Sequence, residues 1–173
     1  MPVENVILVD EQDRAVGTME KMEAHRKGRL HRAFSVFVFD NQSRLLLQQR
    51  ALHKYHSAGL WTNTCCSHPR ADEDTQHAAI RRLQEEMGMQ TDLVGAFTFH
   101  YRAVFENGLI EHELDHVFLG TSNETPVINP DEVAGFRWLG LAEIEQEVAA
   151  QPDRFTAWFK HIYRRVFTLL QQQ

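Results

Sequence analysis

The chain has 173 residues, 43% of them hydrophobic and 24% charged, with a formal net charge of −6. That size and balance fit one soluble globular domain with a core of its own, and the acidic excess excludes a general nucleic-acid surface, which needs a basic face. No apolar run reaches the length of about eighteen residues that a bilayer demands, and the start MPVENVILVDEQDR carries acid where a secretory leader needs a positive region, so the expected setting is the cytoplasm, with reduced thiols and no membrane partner.

In chain order, ENVILVD predicts a strand, and EKMEAHRKGRLH a helix that stops at Gly28 and leaves His25 and His31 near a helix end and a strand start. SVFVFDNQSRLLLQQR predicts two strands around a polar turn at Asn41 to Ser43. WTNTCCSHPR holds both cysteines of the chain side by side, with His68 two residues beyond Cys66. Three readings of it stand open: a metal ligand set, a disulfide, or a reactive thiol beside a metal-binding histidine. A bond between adjacent cysteines closes a strained ring, which counts against the second.

EDTQHAAIRRLQEEMG predicts the clearest helix, capped by Asp74 or Thr75, with Ile80, Leu83 and Met87 as its apolar stripe and Gly88 as its stop. TDLVGAFTFHYRAVFENGLIEHELDHVFLGT predicts a long hairpin turning at Asn107-Gly108. FRWLGL adds a strand, and LAEIEQEVAA and RFTAWFKHIYRRVFTLLQQ close the chain as helices. The last carries Phe155, Trp158, Phe159, Ile162, Val166, Leu169 and Leu170 along one face. With no repeat, low-complexity tract or linker in sight, the expectation is one α/β domain, a mixed α+β fold over residues 1–173.

In LIEHELDH, Glu111 and Glu113 lie two apart on a strand and share a face, roughly 7 Å from each other along the chain. His112 and His116 fall on the other face. Two carboxylates turned toward a core repel and resist desolvation unless a cation lies between them. On a solvated face the same pair is commonplace. His25, His31 and His68, each at an element boundary, shift the balance toward a metal. Three imidazoles and two carboxylates suit Mn²⁺, Zn²⁺ or Mg²⁺ better than a thiolate-rich site does.

From Ser67 onward the spacing resembles the Nudix signature, G-x5-E-x7-R-E-U-x-E-E-x-G-U with U aliphatic. Glu73, Arg81, Leu83, Glu85, Glu86, Gly88 and Met89 fall in register. Ser67 replaces the first Gly, and Arg82 replaces the Glu of R-E, which removes one metal-binding carboxylate of the hydrolytic members and offers a planar diphosphate handle instead. WTNTCCSHP, HYRA, GLIEHE and a tryptophan in the last helix are together similar to the type I isopentenyl-diphosphate isomerases, a branch of the Nudix superfamily.

That resemblance implies a mixed β-sheet between helices, with N- and C-terminal elements closing over the site. It implies that Cys66 is a catalytic thiol and Cys65 a buried bystander. It implies a divalent ion held by His25, His31, His68, Glu111 and Glu113, and a Mg²⁺ held by Glu86, the Cys66 carbonyl and the substrate diphosphate. Lys21, Arg50, Lys54 and Arg82 match the diphosphate-binding positions; read without it Lys21, Arg50 and Lys54 are surface charges. The implied partner is a small allylic or homoallylic diphosphate, and the implied state a monomer or weak homodimer.

The implied reaction is a 1,3 proton shift between isopentenyl and dimethylallyl diphosphate through a tertiary cation, with Cys66 and Glu113 on opposite faces of the substrate. Trp158 would stabilise the cation by about 2 kcal/mol or more, unless it is merely core. Tyr101 would orient Glu113, which requires a three-residue hairpin loop at Glu106 to Gly108, because a two-residue turn pairs Glu113 with Arg102 instead. A cation exposed to solvent is captured as an alcohol, so the segment with Lys21 and His25 and the last helix are expected to shield it. The rivals are a Nudix pyrophosphohydrolase and a metal-stabilised binding domain.

Overall fold

The structure, a computed structural model, describes residues 3–172. Its elements are strand β1 (Asn5–Val9), β2 (Ala15–Glu20), helix α1 (Lys21–Lys27), β3 (His31–Phe39), β4 (Leu45–Arg50), β5 (Trp61–Thr62), β6 (Cys65–Ser67), α2 (Thr75–Met87), β7 (Val94–Val104), β8 (Ile110–Thr121), β9 (Val133–Leu139), α3 (Leu141–Ala150) and α4 (Ala157–Gln171). All the strands join one mixed sheet. This is the expected sheet between helices, and no helix among the described residues is long and apolar enough to cross a membrane.

Strand β3 organises the sheet. It pairs in parallel with β8 from His31↔Glu113 to Phe39↔Thr121, and antiparallel with β6 at Phe34↔Ser67, Ser35↔Cys66 and Val36↔Cys65. The turn at residues 40–44 returns the chain into β4 as expected, yet β3 and β4 share only the pair Phe39↔Leu45 before they part. Strand β4 then pairs with β9 and β5.

Side chains alternate across β3 as the pleat requires. Phe34, Val36 and Val38 pack with Cys65, Leu83 and Met87 under α2. Phe37 and Phe39 face the opposite side, against Phe159, Ile162, Tyr163 and Val166 of α4. Helix α2 begins where Asp74 accepts a hydrogen bond from the His77 N–H at 3.1 Å. Its buried stripe runs through Ala78, Ala79, Leu83 and Met87, with Ile80 at the margin. Helix α4 starts later than expected, capped by Thr156. Tyr163 and Phe167 extend its buried face, while Leu169 and Leu170 sit at the edge.

Strand β2 was not legible in the sequence. It is a largely exposed strand paired with β1, so its residues carry little of the apolar alternation that marks a strand. The β7–β8 hairpin has the odd loop that the sequence argument required. Phe105 N–H donates to the Leu109 carbonyl and Gly108 N–H to the Phe105 carbonyl, each at 2.9 Å. Tyr101 therefore pairs directly with Glu113.

Two glycines with positive φ permit a clean comparison. Gly88, with φ +63°, ends α2, and an added Cβ would lie 2.5 Å from the Val127 carbonyl oxygen and 2.8 Å from its Cβ. Gly108, with φ +84°, faces open space. Gly108→Ala is expected to cost the conformational penalty alone, about 1 kcal/mol. Gly88→Ala adds a backbone clash and is expected to cost at least about 2 kcal/mol more, as read by urea unfolding of the two variants side by side.

Candidate active site

The cysteine doublet is explained by the pleat of β6. Cys65 pairs with Val36 and is fully buried in the layer beneath α2, whereas Cys66 pairs with Ser35 and turns to the α4 side. Both thiols are free. The Cys66 S–H donates to Asn63 Oδ1 at 3.2 Å, and the Trp158 indole N–H donates to Cys66 Sγ at 3.1 Å. Asn63 is itself fixed, because its amide donates to the carbonyls of Val36 and Cys65, each at 3.0 Å. Burial first, then the charge of Asp115, pushes the Cys66 thiol up to about 12. At neutral pH it is an uncharged proton donor with an N–H already in place for the thiolate.

The carboxylates arrive on β8. Glu111, Glu113 and Asp115 alternate onto one buried face, exposed by 5%, 6% and 4%. His112 and His116 occupy the other, bonded to the Gly28 carbonyl and to Asp13. The parallel register sets His31 beside Glu113. His25 comes from the last turn of α1 and His68 from just beyond β6.

The imidazoles are oriented alike. His25 Nδ1 lies 2.7 Å from the Lys21 carbonyl and His31 Nδ1 lies 2.9 Å from the Arg29 carbonyl, so in each ring Nδ1 holds the proton. The two Nε2 atoms are buried and without a hydrogen-bond partner, so their lone pairs are free. Donor atoms of His25, His31 and His68 all lie within 4.8 Å of one another. Glu113 Oε2 is 3.3 Å from His68 Nε2 and 3.9 Å from His31 Nε2. Burial keeps all three rings neutral, with His31 lowered to about 4 and the other two also lowered.

Burial also drives Glu113 upward, reinforced by the charge of Glu111. Glu111 stays ionised in spite of burial, held down by a hydrogen bond with Glu113 and by His56. Orphaned lone pairs on neutral imidazoles, backbone-held through the second nitrogen and facing two carboxylates, are the donor set of a divalent cation. The residues fit such an ion.

Two side chains in this cavity escaped the sequence argument. His56 Nε2 approaches Glu111 Oε2 to 2.6 Å, and His25, His56 and Glu111 form a second group of donors within 4.8 Å. No periodicity or spacing marks His56. Asp115 was within reach, since it continues the alternation of Glu111 and Glu113. Its Oδ2 accepts from the Ser35 hydroxyl at 2.9 Å, and burial raises it to about 8. Tyr101 shares the face of Glu113 as expected, although its hydroxyl is buried without a hydrogen-bond partner. Trp158 is only 3% exposed and meets Tyr101 edge-on at 6.4 Å. Trp158 of α4 lines the cavity, while His25 of α1 lies behind its wall, with its ring centre 5.9 Å from those of His56 and His68. In this conformation the cavity encloses about 30 Å³.

The basic residues divide into two places. Arg50 lines the cavity, its guanidinium 5.4 Å from the centre of the Trp158 ring and donating to the His56 carbonyl at 3.1 Å. Lys21, Lys54 and Arg82 form a separate network with acids. Lys21 pairs with Glu4 at 2.7 Å, Lys54 with Glu132, and Arg82 with Glu86 at 2.6 Å and Glu132 at 3.5 Å. Glu86 also accepts from Gln48 at 3.0 Å and stands with Cys65 on the α2 side of the sheet. Of the other signature carboxylates, Glu73 and Glu85 are both taken by Arg81, which clamps the preceding loop to α2.

A family model for the NUDIX domain matches residues 29–159. An isopentenyl-diphosphate Delta-isomerase from Pectobacterium atrosepticum is 53% identical over 166 residues, 96% of this chain and 93% of the relative. Isopentenyl-diphosphate Delta-isomerase 2 of Aromatoleum aromaticum is 53% identical over 95% of this chain and 87% of its own length. Among solved structures, a crystal structure of a Deinococcus radiodurans protein superposes with a TM-score of 0.79 at 22% identity, over 94% of this chain and 98% of that one. An Ap4A hydrolase from C. elegans matches with a TM-score of 0.56 at 18% identity, over 82% of this chain and all of the other. These two show the fold.

Both thiols are raised, Cys66 to about 12 and Cys65 well above the ordinary thiol value, each chiefly by burial. Alkylation of the native protein by iodoacetamide, followed by mass spectrometry, is therefore expected to accelerate with pH and show no plateau through pH 10. The stability linked to these thiols is whole below the unfolded value of about 8.5 and declines as pH climbs toward the folded value. A reactivity midpoint near pH 8.5, levelling off about one pH unit above it, would mean ordinary thiols.

Proposed function

The chain belongs to the Nudix family and, within it, to the isopentenyl-diphosphate Delta-isomerases, and from that premise we propose how its cavity performs the proton shift. It interconverts isopentenyl and dimethylallyl diphosphate in isoprenoid biosynthesis. The observation that carries the reading is a neutral thiol and a buried carboxylate facing one cavity, beneath an indole that already touches the thiol.

Cys66 and Glu113 are the acid and base. One gives a proton to the terminal alkene carbon, the other removes a proton two carbons away, and their roles exchange when the reaction reverses. The Trp158 N–H and the fixed Asn63 carboxamide oxygen hold the thiol in place, and the indole N–H, as the donor of the two, stabilises the thiolate. The indole face of Trp158 supports the tertiary cation between the two steps. Tyr101, paired across the hairpin with Glu113 and with its hydroxyl unpartnered, would orient that carboxylate.

What a divalent cation supplies here, held by His25, His31, His68, Glu111 and Glu113, is stabilisation of the charge on the carboxylate. Mn²⁺, Zn²⁺ or Mg²⁺ suits that set. Lys21, Arg50, Lys54 and Arg82 would bind the diphosphate, and Glu86 with the Cys66 carbonyl would hold a Mg²⁺ that offsets its charge. Substrate then replaces the acids that pair with Lys21, Lys54 and Arg82. The working unit is one Nudix-like isomerase domain over residues 1–173, cytoplasmic, a monomer or weak homodimer.

Proton NMR of isopentenyl diphosphate in D₂O, with Mg²⁺ and Mn²⁺, tests this directly. Wild-type protein is expected to form deuterated dimethylallyl diphosphate, and Cys66→Ala and Glu113→Gln each to lose about 10³-fold or more in kcat. Hydrolysis of nucleoside diphosphate derivatives with isopentenyl diphosphate left intact would replace the isomerase by a pyrophosphohydrolase.

A further inference from the structure

His56 is a wall shared by two spaces. On one side lies the catalytic cavity, on the other a surface groove of about 520 Å³ between the tip of the β7–β8 hairpin, the loop before β5 and the start of α4. The imidazole is only 6% exposed. Phe105 covers it from the groove side, with ring centres 4.5 Å apart and planes 7° from parallel. Tyr55 meets the imidazole edge-on at 4.5 Å and Trp158 at 5.9 Å.

The wall is pinned from both sides. Arg50 donates to the His56 carbonyl at 3.1 Å, and Asn107, at the hairpin tip, donates to the Tyr55 carbonyl at 3.1 Å. Glu106, Asp153 and Lys160 line the groove, so it is a place for water. The stacked His56 and Phe105 rings stand between that water and the catalytic cavity of about 30 Å³.

We propose that the stacked Phe105–His56 pair is the water seal of the cavity, and that Phe105 thereby decides which product the tertiary cation gives. The inference rests on the isomerase reading. A tertiary cation has two fates: loss of a proton to the basic partner, which yields the alkene isomer, or attack by water. In the second, a water oxygen lone pair forms a C–O bond at the cationic carbon and a water proton passes to the basic partner. The sum is alkene plus water giving tertiary alcohol, with nothing oxidised or reduced. Keeping water out selects the first fate. Phe105 is the residue to test, because His56 also approaches Glu111 whereas Phe105 closes the groove side.

The experiment follows isopentenyl diphosphate in H₂¹⁸O-enriched buffer by mass spectrometry and NMR, with wild type, Phe105→Ala, Phe105→Leu and Asn107→Ala. Metal content and thermal midpoint are read in parallel. Wild type is expected to give the isomer. Phe105→Ala is expected to divert turnover to an ¹⁸O-labelled tertiary alcohol diphosphate, about tenfold or more above the wild-type trace, with Phe105→Leu restoring the isomer. Asn107→Ala, which only unpins the tip, is expected to give a smaller alcohol fraction, and it carries the test if Phe105→Ala does not fold. Isomer alone from folded variants, or an alcohol fraction equal to that of wild type, overturns the seal while the isomerase reading stands. A wild type that leaves isopentenyl diphosphate unchanged overturns both.

Discussion

The parting of β3 from β4 is the constraint on which the rest depends. Two strands joined by a tight turn normally stay paired, and separating them after one pair leaves backbone groups to be satisfied in the interior. The segment Thr62-Asn63-Thr64 fills that gap. Thr64 Oγ1 accepts from the Val38 N–H at 2.9 Å and donates to the Leu46 carbonyl at 2.7 Å, replacing ladder bonds between the separated strands. Asn63 bonds the Val36 and Cys65 carbonyls, and Gln48 reaches the Thr64 carbonyl. All three plug residues are essentially fully buried. The same amide that repairs the sheet leaves its oxygen aimed at Cys66, so the thiol is placed by the repair. An apolar plug would forfeit those bonds at about 1–3 kcal/mol for each group left unsatisfied.

Burial on the other side of the site has a different consequence. Three carboxylates on one face of β8 lie against three neutral imidazoles, and Arg50 is the strong cation lining the same cavity. Burial and the charge of Glu111 push Glu113 up, while Glu111 itself is held down. That arrangement is tense, because a buried carboxylate pair is stable only while one member keeps its proton or a cation replaces it. The same tension suits the proposed metal and acid–base roles, and the imidazoles of His25 and His31 are held by backbone carbonyls from behind.

How much of this was legible in the sequence follows from how far each signal reaches. Period-two alternation located Glu111 and Glu113, and the parity of the hairpin loop located Tyr101 opposite Glu113, because both are local rules. The separation of Cys65 from Cys66 obeys the same alternation. Trp158 was found on an apolar stripe, yet its bond to the thiol spans 92 positions and follows from no local pattern. His56 stands in a loop, and its place depends on how the hairpin tip lies over that loop. Strand β2 failed for the opposite reason: it is an exposed strand whose pairing with β1 needs few buried side chains. The gathering of His25, His31 and His68 is likewise a product of β3 packing between β1, β6 and β8.

The signature helix shows how an inherited element serves a different chemistry. Arg81 occupies Glu73 and Glu85, so those two carboxylates brace the loop that follows His68. Arg82 stands where a second metal-binding carboxylate belongs, neutralises Glu86 and reaches toward Glu132. The helix therefore offers one compensated carboxylate where the hydrolytic pattern offers several. The uncompensated acids lie instead on β8, on the far side of β3, under α4. The charge thus moves from a helix beside solvent to a strand beneath an indole, the exchange that the proposed proton shift through a cation calls for.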